Sequence, residues 1–283
     1  MPSSFSDGND VNRLGLDFQS VFGMPPLAYV GLAADLGCSH VTIGLGPSPW
    51  NPCAFAPWSL RDDASLRRAT RDLMHERGVA ISVLYGFSLK PDMNVAGFAR
   101  DMDLAAELGA GFIGTVGMDP DLARAYDNLA QLTSLAVERE LEVVLDYAPH
   151  HPINTLGAAC QALRSTGSPH ARLSVDAMHL FRSGGAAAEV AALAAADPGR
   201  IGYAQVCDAT ARAPHPDYAK EVTFERLIPG DGELPLADLI AAVPADVLIG
   251  VEVPNLQAAE TDLHAFLARA VAASRALLSE MER

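Results

Sequence analysis

Short runs of β-branched and apolar residues alternate along the chain with longer Ala/Leu-rich stretches whose apolar positions recur at helical spacing. That alternation is the pattern of repeated strand–helix units around a parallel sheet. The runs predict strands over 14–17, 41–44, 80–84, 112–116, 141–146, 173–176, 201–206 and 247–253. The intervening periodicity predicts helices over Ala64–Arg77, 94–108, 121–139 and 256–278, the first two followed by Gly78 and Gly109, which suit left-handed caps. Eight such units predict a (β/α)8 TIM barrel over 13–283, preceded by an extension over 1–12. No linker, low-complexity tract or charge run divides the chain, so one domain is expected. Two long loops stand out: 46–63, rich in Pro and holding Trp50 and Trp58, and 207–231.

Composition narrows the classes of function. The chain has 283 residues, 49% of them hydrophobic and 19% charged, enough to bury a large core without staples and too apolar for disorder. No apolar run approaches the ~20 residues that span a bilayer, and the N-terminal residues show no signal-peptide pattern, so a cytoplasmic protein without a membrane partner is expected. A formal charge of −15 disfavours nucleic acid, whose binding depends on Lys and Arg neutralising phosphates. Cys38, Cys53, Cys160 and Cys207 are far apart and form no CxxC pair, which argues against a thiolate zinc site or a disulfide framework.

Catalytic groups of such barrels project from the C-terminal ends of the strands, so polar residues there carry the chemical information. The last four predicted strands end on or near Asp146, Asp176, Gln205 and Glu252, all oxygen donors. Carboxylates converging on one mouth repel one another and are expensive to desolvate, which a divalent cation relieves. A hard set of three carboxylates and an amide suits one Mn2+ or Mg2+ ion. Each residue alone is equally explained as a helix cap or loop hydrogen bond.

These positions resemble the xylose isomerase-like barrel superfamily, which contains sugar and sugar-phosphate isomerases, keto-sugar epimerases, 3-dehydroshikimate dehydratases and apurinic endonucleases. The resemblance rests on Asp176-Ala177-Met178-His179, on Arg226-Leu227-Ile228-Pro229-Gly230-Asp231-Gly232 and on Val251-Glu252-Val253-Pro254, and covers mainly the second half of the chain. It implies a metal held by Asp146, Asp176, Gln205 and Glu252 that chelates a substrate carbonyl and a neighbouring hydroxyl, stabilising the enediolate formed when the adjacent C–H proton leaves. It also implies that Glu252 acts as general base, with Asp146 on the opposite face and His179 donating to a substrate oxygen. Asp146 stands where the isomerase branch has Glu, and Gln205 where it has His, the latter closer to the dehydratases.

Arg226 is expected to grip a polar or anionic group through its fork, or to form an ordinary ion pair. Tyr85, Phe87, Trp50 and Trp58 suit pocket walls as well as ordinary packing. Asp208 is expected to orient a ligand or cap a loop, and His150-His151 to lie on loop surface. The stretch 182–185 suits either an anion at a helix start or a flexible turn. The function expected is a metal-dependent isomerase or epimerase of a small polyhydroxylated carbonyl compound, possible as a homo-oligomer. A dehydratase of the 3-dehydroshikimate type and a non-catalytic ligand-binding barrel are the alternatives.

Overall fold

The computed structural model describes residues 12–281 except 215; most of the 1–12 extension lies outside them. Eight parallel strands close into one barrel in sequence order: β1 (Leu14–Leu16), β2 (His40–Gly44), β3 (Ala80–Tyr85), β4 (Phe112–Val116), β5 (Glu142–Asp146), β6 (Ala171–Asp176), β7 (Ile201–Val206) and β8 (Leu248–Val251). β1 pairs with both β2 and β8, which removes every sheet edge. The single-domain (β/α)8 barrel expected from the pattern is therefore the observed fold.

The helices follow local chemistry. Ala64–Arg77 starts where the Asp63 carboxylate accepts from the amides of Ser65 and Leu66, both at 2.9 Å, and ends at Gly78 with φ 66°. The stretch predicted over 94–108 opens as a 3-10 turn, Val95–Phe98, before helix Ala99–Glu107. The last predicted helix is broken into Leu256–Thr261 and Leu263–Met281, because Asp262 leaves the helical conformation and caps the amide of Ala265 at 2.9 Å. No helix among the described residues is long and apolar enough to cross a membrane.

Two layers of packing place the site. Most of the core lies between the barrel and its surrounding helices, while Val83, Val144 and Tyr203 form a small cluster inside the barrel. His40 joins them edge-on to Tyr203, with ring centroids 6.1 Å apart. The interior is thus filled below the C-terminal mouth. Register then levels the polar residues above it: Asp176 pairs with Gln205 and Gln205 with Gly250. Asp17 follows β1 with its amide bonded to Val251 O at 3.1 Å, and Glu252 follows β8 with its amide bonded to Val206 O at 3.0 Å.

Candidate active site at the barrel mouth

A cavity of about 380 Å³ opens at the C-terminal ends of the strands, lined among others by Tyr85, Asp146, His179, Gln205, Arg226 and Glu252. Of the residues expected to catalyse or to bind metal or substrate, Tyr85, Asp146, His179, Gln205, Arg226 and Glu252 line it, and Asp176 does not, being 2% exposed.

The electrostatics centre on Arg226, itself 2% exposed. Its Nη1 pairs with Asp176 Oδ2 at 2.5 Å and its Nη2 with Glu252 Oε2 at 3.0 Å, while its Nε donates to Val222 O at 3.0 Å. The arginine comes from the loop after β7, and its main chain is tied to the β8 end by Arg226 N to Pro254 O at 3.2 Å and Asn255 Nδ2 to Arg226 O at 3.0 Å. Burial works against ionising Asp176, but the Arg226 guanidinium outweighs it and holds the carboxyl down at about 2. One guanidinium cannot neutralise two carboxylates. Glu252, buried beside Asp17, Asp176 and Asp146, is pushed well above the usual carboxylate range.

Asp146 ends β5 with a buried Oδ1 that has no hydrogen-bond partner. Burial, opposed by the neighbouring Ser174 and Tyr85 hydroxyls and reinforced by Asp176 and Asp17, raises it to about 7. The Tyr85 hydroxyl is likewise buried without a partner, and its ring leans on Phe18 at 5.4 Å. His179 donates its amide to Asp176 Oδ1 at 2.7 Å, and its ring Nδ1 contacts the Tyr218 hydroxyl at 2.5 Å. Burial lowers the His179 imidazole to about 4, so it is neutral at physiological pH.

Sequence reasoning missed Asp17, Tyr203 and Tyr218. Asp17 is fully buried and accepts from Tyr203 Oη at 2.7 Å and Gln205 Nε2 at 2.5 Å. Burial raises it to about 6 despite those bonds. The rule that found Asp146 and Asp176, a carboxylate ending a strand, would have found Asp17 had it been applied to the first strand as well.

The remaining expectations sort themselves by contact. Trp50 lines the cavity and packs edge-on against Phe224, whereas the Trp58 indole donates to Gly23 O at 2.9 Å and Phe87 packs on Phe98. Asp208 accepts from the amides of Ala209, Gly230 and Leu234 at 2.8 to 3.0 Å, so it staples the 207–234 loop. His150 is exposed as expected of loop surface, but both it and His151 line the cavity rim, with rings 4.1 Å apart. The amides at 185–186 are taken by Leu180 O and Glu189 Oε2, and Arg182 pairs with buried Glu221 at 2.6 Å.

Three of the four oxygen donors expected to surround a divalent ion are engaged by other protein groups. Asp176 and Glu252 close on Arg226, and the Gln205 amide donates to Asp17 while its Oε1 accepts from Ser174 at 3.3 Å. Of this set, the buried oxygen left without a partner is Asp146 Oδ1. Among the described residues no three His, Cys, Asp or Glu side chains are grouped to hold a metal ion. This arrangement does not fit a divalent ion held by all four.

The site is therefore an acidic barrel mouth built around one buried arginine, on a closed (β/α)8 frame. The chain belongs to the family described as xylose isomerase-like TIM barrel, whose model matches residues 30–270. No curated protein matches the sequence. Among solved structures it is similar to one described as IolI protein with a binding zinc atom, with TM-score 0.79, 16% identity and coverage of 95% of this chain and 98% of that one. It is also similar to the probable 3-DHS dehydratase AsbF from Bacillus anthracis, with TM-score 0.72, 12% identity and coverage of 92% and 97%. A third is D-psicose 3-epimerase in the presence of D-fructose, with TM-score 0.68, 13% identity and coverage of 94% and 99%. At these identities the likeness is one of fold.

Proposed function

We propose that this barrel is an isomerase or epimerase of small, uncharged polyhydroxylated carbonyl compounds, moving the proton on the carbon beside the carbonyl through an enediolate. One observation carries the reading. Asp146 and Glu252, on strands three apart around the closed barrel, face one cavity, and the single Lys or Arg among its lining residues is already shared by two carboxyls. Two carboxyls whose surroundings set different proton affinities are the pairing that acid–base chemistry at carbon needs.

Asp146, raised to about 7 with one oxygen unengaged, is matched to accept a proton near neutral pH. Glu252, held above the usual range, keeps a proton to return from the other side. The choice of Asp146 as base reverses the roles implied by the resemblance, because Glu252 lies against an arginine whose charge Asp176 has already taken. Neutral His179 and the Tyr85 hydroxyl suit substrate hydroxyls, being uncharged groups able to bond either way. The chemistry a divalent ion supplies in such sites is polarisation of the substrate carbonyl; no step here is assigned to one.

A dehydratase is the second reading, favoured by Gln205 where isomerases of this kind have His. Its substrate 3-dehydroshikimate carries a carboxylate, and the lining residues offer that anion no unpaired Lys or Arg. Incubating the protein with neutral ketoses in D2O separates the readings by proton NMR. The expected result is loss of the C–H signal beside the carbonyl and growth of an isomer, reduced about 10²–10⁴-fold in Asp146→Asn. Growth of protocatechuate absorbance from 3-dehydroshikimate, with no exchange in any ketose, would replace this reading by the lyase.

A further inference from the structure

Proteins with convergent strand-end carboxylates ordinarily need a cation to hold them together. Here the cation is covalently part of the chain. We infer that the Arg226 guanidinium is the resident positive charge of this site and that the barrel performs its chemistry without a divalent metal.

Three observations support this. First, Arg226 is built in rather than swung in. Its Nε is bonded to Val222 O at 3.0 Å, its amide to Pro254 O at 3.2 Å and its carbonyl to Asn255 Nδ2 at 3.0 Å, so main chain and side chain are fixed from both flanks. Second, it bridges the ends of β6 and β8 by pairing with both Asp176 and Glu252. A divalent ion bound by those two carboxylates would have to displace the guanidinium or lie against it, and like charges in a dry site repel strongly. Third, the amide at position 205 is committed elsewhere. Gln205 Nε2 donates to Asp17 and Oε1 accepts from Ser174, which fixes the side chain as a bridge between two protein groups.

The guanidinium has a further capacity that a purely structural ion pair would lack. Nη1 is engaged by Asp176, by Cys207 Sγ at 3.3 Å and by Glu252 O at 3.5 Å, but Nη2 has Glu252 Oε2 as its single partner. Its second hydrogen is thus available to the cavity that Arg226 lines. A substrate carbonyl oxygen accepting it would have its developing negative charge stabilised as the C–H bond beside it breaks. The C–H electron pair becomes the C=C bond of the enediolate, the carbonyl π pair moves to that oxygen, and the proton passes to Asp146. Reversal with protonation on the other face or the other carbon restores a neutral product with no net change in electrons or atoms. This catalytic half rests on the isomerase reading; the assignment of the cation does not.

The two are tested separately. Titration of the purified, chelator-treated protein with Mn2+, following the electron paramagnetic resonance of the free ion, reads metal binding without any substrate. The expected result is no stoichiometric uptake by the wild type and by Arg226→Lys. Arg226→Met, which frees the two carboxyl groups of Asp176 and Glu252 from the guanidinium, is expected to bind Mn2+ at least an order of magnitude more tightly. Stoichiometric uptake by the wild type overturns the assignment, and that outcome is decisive even where Arg226→Met fails to fold. Ketose exchange in D2O is then compared before and after chelation. An unchanged rate supports the proposal, and a rate lost with chelator and restored by Mn2+ overturns it. Absence of exchange in every condition overturns the isomerase reading and the carbonyl-binding role of Arg226, leaving the Mn2+ titration to decide the cation.

Discussion

Asp17 is the most sharply testable of the buried acids, because its carboxyl is fully enclosed and its proton affinity is displaced upward. Burial raises it from 3.8 to about 6, against the pull of Tyr203 and Gln205. A raised folded-state value means that the folded protein holds the proton more tightly than the unfolded chain. The resulting stability is full below the unfolded value and is lost as pH rises through the folded one. At 1.36 kcal/mol per unit, the wild type loses about 3 kcal/mol on this account between roughly pH 4 and 7. Asp17→Asn removes the titration but sets an amide NH2 among two hydrogen-bond donors, a pH-independent penalty of about 1–3 kcal/mol for the unsatisfied pairing. The variant is therefore expected to be less stable than wild type at pH 4 and equal to it or more stable at pH 8. Urea unfolding at both pH values, with slopes checked for equality, measures the difference. Wild-type and variant stabilities that run parallel across that interval would refute the reasoning, since the buried carboxyl would then hold its proton no more tightly than in the unfolded chain.

Further outcomes follow from other contacts. His40, buried in the barrel and lowered to about 3, resists protonation in the folded state; its contribution is present above 6.5 and disappears as pH falls, a loss of about 5 kcal/mol. His40→Gln should therefore unfold at lower pH than wild type in an acid titration followed by circular dichroism, and an unmoved midpoint counts against a neutral buried imidazole. A Cβ at Gly250 would overlap the Tyr203 hydroxyl and the Asp17 carboxylate, so Gly250→Ala should cost about 1–3 kcal/mol in thermal or urea unfolding. Glu221, 2% exposed, ties helix Tyr218–Phe224 to Arg182; Glu221→Ala leaves the part-buried guanidinium with only the carbonyls of Thr210 and Ala211, at a cost of about 1–3 kcal/mol. Limited proteolysis of that variant should cut between 208 and 225 before the barrel unfolds, and cleavage no faster than wild type would show the pair to be dispensable.

The barrel was legible because strands buried on both faces write their apolar runs directly into the sequence, and β5 and β7 end where those runs end. Helix interruptions were less visible. Asp262 sits in a stretch whose apolar period continues on either side, so only its capping of Ala265 reveals the break. The acids of the mouth were found by position at strand ends, but their partners were not. Arg226 lies 50 residues from Asp176 in sequence, and nothing in local pattern says that a loop returns it to β6 and β8 rather than to a substrate. The His150-His151 pair shows the same limit: exposure is readable from polarity, but which loop faces the cavity depends on how 147–153 folds back on itself.

One arginine and two displaced carboxyls are proposed here to make this mouth a proton-transfer site for uncharged substrates. Deuterium incorporation measured on chelator-treated protein, with a neutral ketose and its phosphate ester side by side, tests it most directly. Exchange is expected beside the carbonyl of the neutral sugar, with little in the phosphate ester and no gain from added Mn2+. Exchange confined to the phosphorylated sugar, or appearing only when metal is restored, would contradict it.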